Sequence, residues 1–177
     1  MSKAKVGESA PDFTLNVYDP ADPGNSDKTV SLADYKGKWL IFYYYPMDFT
    51  FVCPTEINAL ADRLEDFKEI GAEVLGASTD TFFTHKAWAN TPRDQNGIGG
   101  LNYPIAADHT GKTARKYGVL IEDKNIALRG LFIIDPEGVL QYSVINSLNI
   151  GRSTDETLRV LEALQTGTEQ PQGDEEE

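Results

Sequence analysis

A single α/β layered domain is predicted by three features of this 177-residue sequence. Runs rich in β-branched and aromatic residues alternate with segments of helical period, the length suits one core, and no internal repeat divides the chain. Forty per cent hydrophobic residues supply enough apolar surface for that core without disulfide staples.

Trp39 to Tyr45 is the first clear strand, an unbroken aromatic and aliphatic run that ends at Pro46. A helix is expected from near Cys53 to Ile70, because Ile57, Leu60, Ala61, Leu64 and Phe67 recur at spacings of three and four. That stripe faces the core and leaves Asp62, Arg63, Glu65, Asp66 and Lys68 outward, with Gly71 as the stop. A strand over Glu73 to Ala77 and a helix near Thr81 to Ala89 follow. Tyr103 to Ala106 reads as a short strand and His109 to Tyr117 as a helix. Ile126 to Ile134 and Val139 to Ile145 read as strands joined by the turn Asp135-Pro-Glu-Gly138. Ser153-Thr-Asp-Glu156 has the form of a capping box, opening a last helix with Leu158, Leu161 and Leu164 inward.

The formal net charge of -12 argues against nucleic acid as a partner, since phosphate backbones are bound by concentrated Lys and Arg. An anionic membrane surface is disfavoured for the same reason. The absence of an apolar run of transmembrane length, and an N-terminus without an apolar signal region, lead us to expect a soluble cytoplasmic protein. A lone cysteine forbids an intrachain disulfide, which agrees with a reducing compartment. Residues 167–177 form an acidic low-complexity tail, expected to be solvated, behind a domain of residues 1–166.

That one cysteine, Cys53, stands where the strand gives way to the helix. Free cysteines often serve only as small buried hydrophobes. At a helix N-terminus, however, unpaired N–H groups and the positive end of the helix dipole stabilise the thiolate, the reactive form. Pro46, Thr50 and Cys53 set a rigid residue and a hydroxyl at fixed offsets from the sulfur.

The segment Phe42-Tyr-Tyr-Tyr-Pro-Met-Asp-Phe-Thr-Phe-Val-Cys-Pro-Thr-Glu-Ile57 resembles the peroxidatic-cysteine signature of the peroxiredoxins, in their typical two-cysteine branch, that of the peroxidase component of alkyl hydroperoxide reductase. Ser78 to Trp88, Asn90 to Arg93, Leu128 to Asp135 and Gly151 to Glu156 resemble further blocks of that branch in the same order, so the likeness spans about residues 5 to 166. The resemblance implies a thioredoxin-like fold with a central mixed sheet, flanking helices and an N-terminal extension. It also implies reduction of hydrogen peroxide and organic hydroperoxides, without cofactor or metal. Cys53 would be the nucleophile, Thr50 and nearby backbone N–H groups would hold the peroxide oxygens, Pro46 would shield the pocket, and Arg129 would supply a permanent cation. Glu56 and Arg152 match a carboxylate–guanidinium network that orients the arginine. Tyr45 matches a position beside the proline, although as a strand-end aromatic it reads better as core with a bonded hydroxyl. Phe82, Phe83, Lys86 and Trp88 fall where this branch joins dimers into rings of five, although aromatics at helical spacing are commonly core.

The chain departs from the branch in lacking a resolving cysteine after the last helix, in reading Asn96-Gly-Ile-Gly99 for a Gly-Gly-Leu-Gly loop, and in missing a C-terminal helix with a Tyr-Phe pair. An external thiol or a thioredoxin-like protein is then expected to reduce the oxidised Cys53. A holdase chaperone and a thiol redox relay are the alternatives on the same scaffold. His85 and His109 raise the further option of a Cys–His nucleophile, with no surrounding motif to support it, and one Cys with two distant His residues offers no usable metal spacing.

Overall fold

In the computed structural model of the chain, residues 3–50, 53–148 and 152–167 are described, Cys53 by its backbone. From the N-terminus come β1 (Thr14–Tyr18), β2 (Thr29–Ser31), β3 (Trp39–Tyr44), α1 (Cys53–Asp62), α2 (Leu64–Glu69), β4 (Ala72–Ser78) and α3 (Phe82–Ala89). The second half runs β5 (Ile105–Ala107), α4 (Lys112–Lys116), the small pair β6 (Leu120–Ile121) and β7 (Ile126–Ala127), β8 (Arg129–Ile134), β9 (Leu140–Asn146) and α5 (Thr154–Gly167). A 7-stranded mixed sheet in the order β2-β1-β5-β4-β3-β8-β9 forms the centre. Within it β3, β4 and β5 are mutually parallel and the other neighbours are antiparallel.

Every residue of β3 is buried, because both faces of the sheet are covered there. Ile41 and Tyr43 meet Ile57, Leu60, Ala61, Leu64 and Phe67 of α1 and α2, Trp88 of α3 and Leu161 of α5. Leu40, Phe42 and Tyr44 point the other way, onto Ala114 and Tyr117 and onto Ala10 and Phe13 of the N-terminal extension. This is the thioredoxin-like arrangement, a mixed sheet between helical layers, and it delivers the C-terminal end of β3 to the N-terminus of α1. No helix among the described residues is long and apolar enough to cross a membrane.

The helix expected over Cys53 to Ile70 is divided at Arg63, where φ is -108° and ψ 13°. The Arg63 N–H is shared between the carbonyls of Ala59 and Leu60, and its carbonyl accepts from Asp66 N–H three residues on, a tightened turn. The apolar stripe continues across the break. Gly71 ends α2 in the left-handed region, φ +82°. The strand expected at Tyr103 begins instead at Ile105, since Pro104 has no N–H for the ladder. The helix expected at His109 starts at Lys112, after Gly111 at φ +77°, while the Asp108 carboxylate accepts the Ala114 N–H. The strand expected over Ile126 to Ile134 is interrupted at Leu128, whose N–H turns to the Val119 carbonyl. Ser153 caps α5 through Glu156 N–H, and the Glu156 carboxylate bonds Arg159. Gly167 closes α5, and the acidic tail expected beyond the domain lies, from residue 168 on, outside the described residues.

Candidate active site

The connection from β3 to α1 carries Tyr45 and Pro46, both buried, and then Met47 to Thr50. Tyr45 is a core aromatic whose hydroxyl donates to Asp48 Oδ1 at 2.6 Å. The Asp48 N–H donates to Asp80 Oδ2 at 2.8 Å, and Thr50 Oγ1 donates to the Met47 carbonyl at 3.2 Å. Phe49 takes φ +61°, a left-handed backbone that a bulky side chain adopts at a cost of about 1–3 kcal/mol. Its ring, 5.7 Å from that of Trp88, anchors the bend against α3. The chain then enters α1 at Cys53, so the first turn presents N–H groups that have no carbonyl partner within the helix. The Cys53 side chain lies outside the described residues.

One turn along α1, Glu56 is buried between two arginines. Arg129, at the start of β8 and only 3% exposed, donates from Nη1 to Glu56 Oε1 at 2.8 Å and from Nε to the Leu148 carbonyl at 2.7 Å. Arg152 donates to the same carboxylate from Nη2 at 3.0 Å, from Nε at 3.1 Å and from its backbone N–H, and Arg152 Nη1 reaches the Gly130 carbonyl at 2.7 Å. The Arg152 guanidinium also lies 5.3 Å from the Tyr43 ring centroid, a cation–π contact. Two permanent cations around one carboxylate leave a net positive charge in a region that water barely reaches. Residues i and i+3 share a helix face, so this charge sits beside the position of Cys53.

The structure thus brings Glu56, Arg129 and Arg152 together and sets Pro46 and Thr50 on the loop that leads into Cys53. It divides the four residues assigned to an oligomer contact. Phe82 and Trp88 are 4% and 0% exposed and belong to the protomer's core, with Trp88 Nε1 donating to the Asn96 carbonyl at 2.8 Å. Phe83 is 69% exposed and Lys86 is half-buried, so Phe83 alone of the aromatics is presented outward.

His85 is buried in the core, its Nδ1 2.7 Å from Asp48 Oδ2 and its Nε2 2.9 Å from the Ala106 carbonyl. Both ring nitrogens are engaged, which leaves neither for a thiol, while His109 is exposed. Burial pushes the His85 imidazole down, but the hydrogen bond and charge of Asp48 outweigh it and the net shift is upward. Burial and the Asp48 charge hold the Asp80 carboxyl above its usual range, and burial raises the Tyr45 phenol well above its own. Asp48, Asp80 and His85 place ligand-type atoms within 4.8 Å of one another, but these are already satisfied by each other, Tyr45, Ser78 and Ala106. Sequence reasoning passed over Asp48. No local pattern in the sequence marks it, because its partners Tyr45, Asp80 and His85 come together at Asp48 only in the fold.

The model of the AhpC/TSA family matches residues 6–143. Peroxiredoxin-2 of Mus musculus is 53% identical over 163 residues, 92% of this chain and 80% of that protein, and Peroxiredoxin-1 of Gallus gallus is 50% identical with the same coverage. The crystal structure of reduced Plasmodium vivax 2-Cys peroxiredoxin superposes with a TM-score of 0.87 at 40% identity, covering 93% of this chain and 83% of that one. Enterococcus faecalis AhpC gives a TM-score of 0.85 at 38% identity over 96% of each chain. Sequence and fold agree along nearly the whole described length, and the chain therefore belongs to the AhpC/TSA family: it is a peroxiredoxin, a thiol-dependent peroxidase.

Proposed function

We propose that the chain reduces hydrogen peroxide and organic hydroperoxides at Cys53 by a one-cysteine mechanism that ends on an external thiol. The observation that carries this reading is the buried Glu56–Arg129–Arg152 cluster, whose net positive charge lies one turn from the only cysteine of the sequence. That charge, with the α1 N-terminus, favours the thiolate over the thiol.

The thiolate attacks the outer peroxide oxygen; an S–O bond forms as the O–O bond breaks, and the departing alkoxide or hydroxide takes up a proton. Thr50 Oγ1 and the free N–H groups of the first turn hold the two oxygens as negative charge moves onto the leaving one. Arg129 fixes the sulfur's charge, Glu56 and Arg152 fix Arg129, and Pro46 screens the site from bulk water. The resulting sulfenic acid condenses with one external thiol, losing water, and a second thiol releases the mixed disulfide. A thioredoxin-like protein is a suitable donor, and such a cycle belongs in a reducing cytoplasm. Assembly of homodimers into a ring would use Phe83 and Lys86, backed by Phe82 and Trp88. The catalytic unit is the domain of residues 1–166, with the acidic tail outside it.

Cys53→Ser tests the reading. Serine keeps the shape but offers no accessible anion near neutral pH, so thiol-dependent peroxide consumption should fall to background while the far-ultraviolet circular dichroism stays unchanged. Turnover retained in the variant would refute the assignment.

A further inference from the structure

Beneath the loop that enters α1 lies a buried polar cluster with no part in the chemistry described above. Asp48 is 5% exposed and His85 1% exposed. The Ala106 carbonyl can only accept, so His85 Nε2 carries a proton. Asp48 Oδ2 already lies 2.7 Å from Nδ1 and Oδ1 takes the Tyr45 hydroxyl, which makes Nδ1 a donor as well when the carboxylate is ionised. The geometry therefore describes an imidazolium, paired with a carboxylate in the core. Its cost in desolvation is met by bonds on every side: Tyr45 from the end of β3, Asp80 and Ser78 from the end of β4, and Ala106 from β5.

We propose that His85 and Asp48 are positioning residues for peroxide reduction: the buried ion pair clamps the loop between Pro46 and Thr50 to the sheet and to α3. The proposal rests on the reading of Thr50 and Cys53 given above. Asp48 is held at three points, by both carboxylate oxygens and by its backbone N–H, and Thr50 is two residues away. The left-handed bend at Phe49 between them needs such an anchor, since an unheld bulky residue would relax out of it. His85 thus acts on the reacting atoms only through the loop. When its imidazolium loses a proton, either the Asp48 carboxylate or the Ala106 carbonyl loses its donor. The charged and titratable groups facing it are Asp48, Asp80 and Tyr45, and the two carboxylates both favour its charged form. The clamp is therefore intact while the imidazole is protonated and is released as pH rises through the raised imidazole value.

The test measures the second-order rate constant for hydrogen peroxide, per titrated thiol, by stopped-flow tryptophan fluorescence across the pH range in which the fold is retained. His85→Gln leaves Asp48 a buried carboxylate without a cation, and the rate should fall by about 10- to 100-fold, the scale set by a misplacement near 1 Å. Asp48→Asn can donate to a neutral His85 Nδ1 while accepting from Tyr45, so it should lose far less rate than His85→Gln. It should also lack the alkaline limb of the wild-type profile. A wild-type rate in His85→Gln, or an unchanged alkaline limb in Asp48→Asn, would overturn the proposal; if His85→Gln does not fold, the Asp48→Asn profile decides. A wild type that consumes peroxide no faster than Cys53→Ser would instead refute the catalytic reading itself.

Discussion

At the scale of single residues, Glu56 does more than any other described side chain to shape the site. It stands in the first turn of α1, where a carboxylate is favoured by the helix dipole, yet it is buried and meets two guanidinium groups rather than solvent. A buried pair of this kind contributes little over a well-packed apolar substitute, but breaking it leaves charges stranded. Glu56→Gln keeps the shape and removes the charge, so Arg129 and Arg152 lose their counter-ion. Urea denaturation of the reduced protein should show a loss of about 3–5 kcal/mol. A loss below about 1 kcal/mol, the range of an exposed pair, would mean that the cluster is solvated in solution. The sequence placed these three residues together only through a resemblance, because Glu56 and Arg152 are 96 positions apart and nothing local links them.

Among the elements, α3 shows how one short helix serves two surfaces. Phe82, His85 and Trp88 follow the three-residue spacing of a buried stripe, while Phe83 turns outward beside Phe82 with ring centroids 5.2 Å apart. Periodicity located the helix near Thr81 to Ala89, but a window of eight residues in which both faces carry aromatics cannot say which aromatic is core. Packing decides it, since Trp88 fills the space between Tyr45 and Phe49. The two faces should answer differently to substitution. Phe83→Glu should shift the mass measured by light scattering toward smaller species and alter unfolding of the smallest unit by no more than about 0.5 kcal/mol. Trp88→Ala should cost about 3–5 kcal/mol through the cavity it leaves. A monomeric wild type at working concentration would remove the assembly role of Phe83.

Over the whole molecule, the order of the main elements was legible from β3 onward, through the core-facing stripes of α1, α2 and α5 and the continuous apolar run of β3, whereas β1 and β2 were not read from the sequence. The sheet order was not legible, since pairing of β1 with β5 and of β3 with β8 depends on contacts between distant segments. The breaks at Arg63, Pro104 and Gly111 have local causes, a tightened turn, a residue without an N–H and a left-handed glycine, and the apolar spacing used to place the elements does not register them. The position of Cys53 at the start of a helix was readable from the residues, and the buried cations beside it were reached only through the resemblance. Joining the two, we propose that peroxide oxidises Cys53 and that an external thiol resolves the product, since Cys53 is the one cysteine of the 177 residues. A disulfide between two copies would require Cα atoms within about 7 Å of each other across a subunit contact. The most direct measurement treats reduced protein with one equivalent of hydrogen peroxide, then with dimedone, and reads intact mass and a non-reducing gel. The account predicts one dimedone adduct on Cys53 and a monomeric band, whereas quantitative conversion to a disulfide-linked dimer would contradict it.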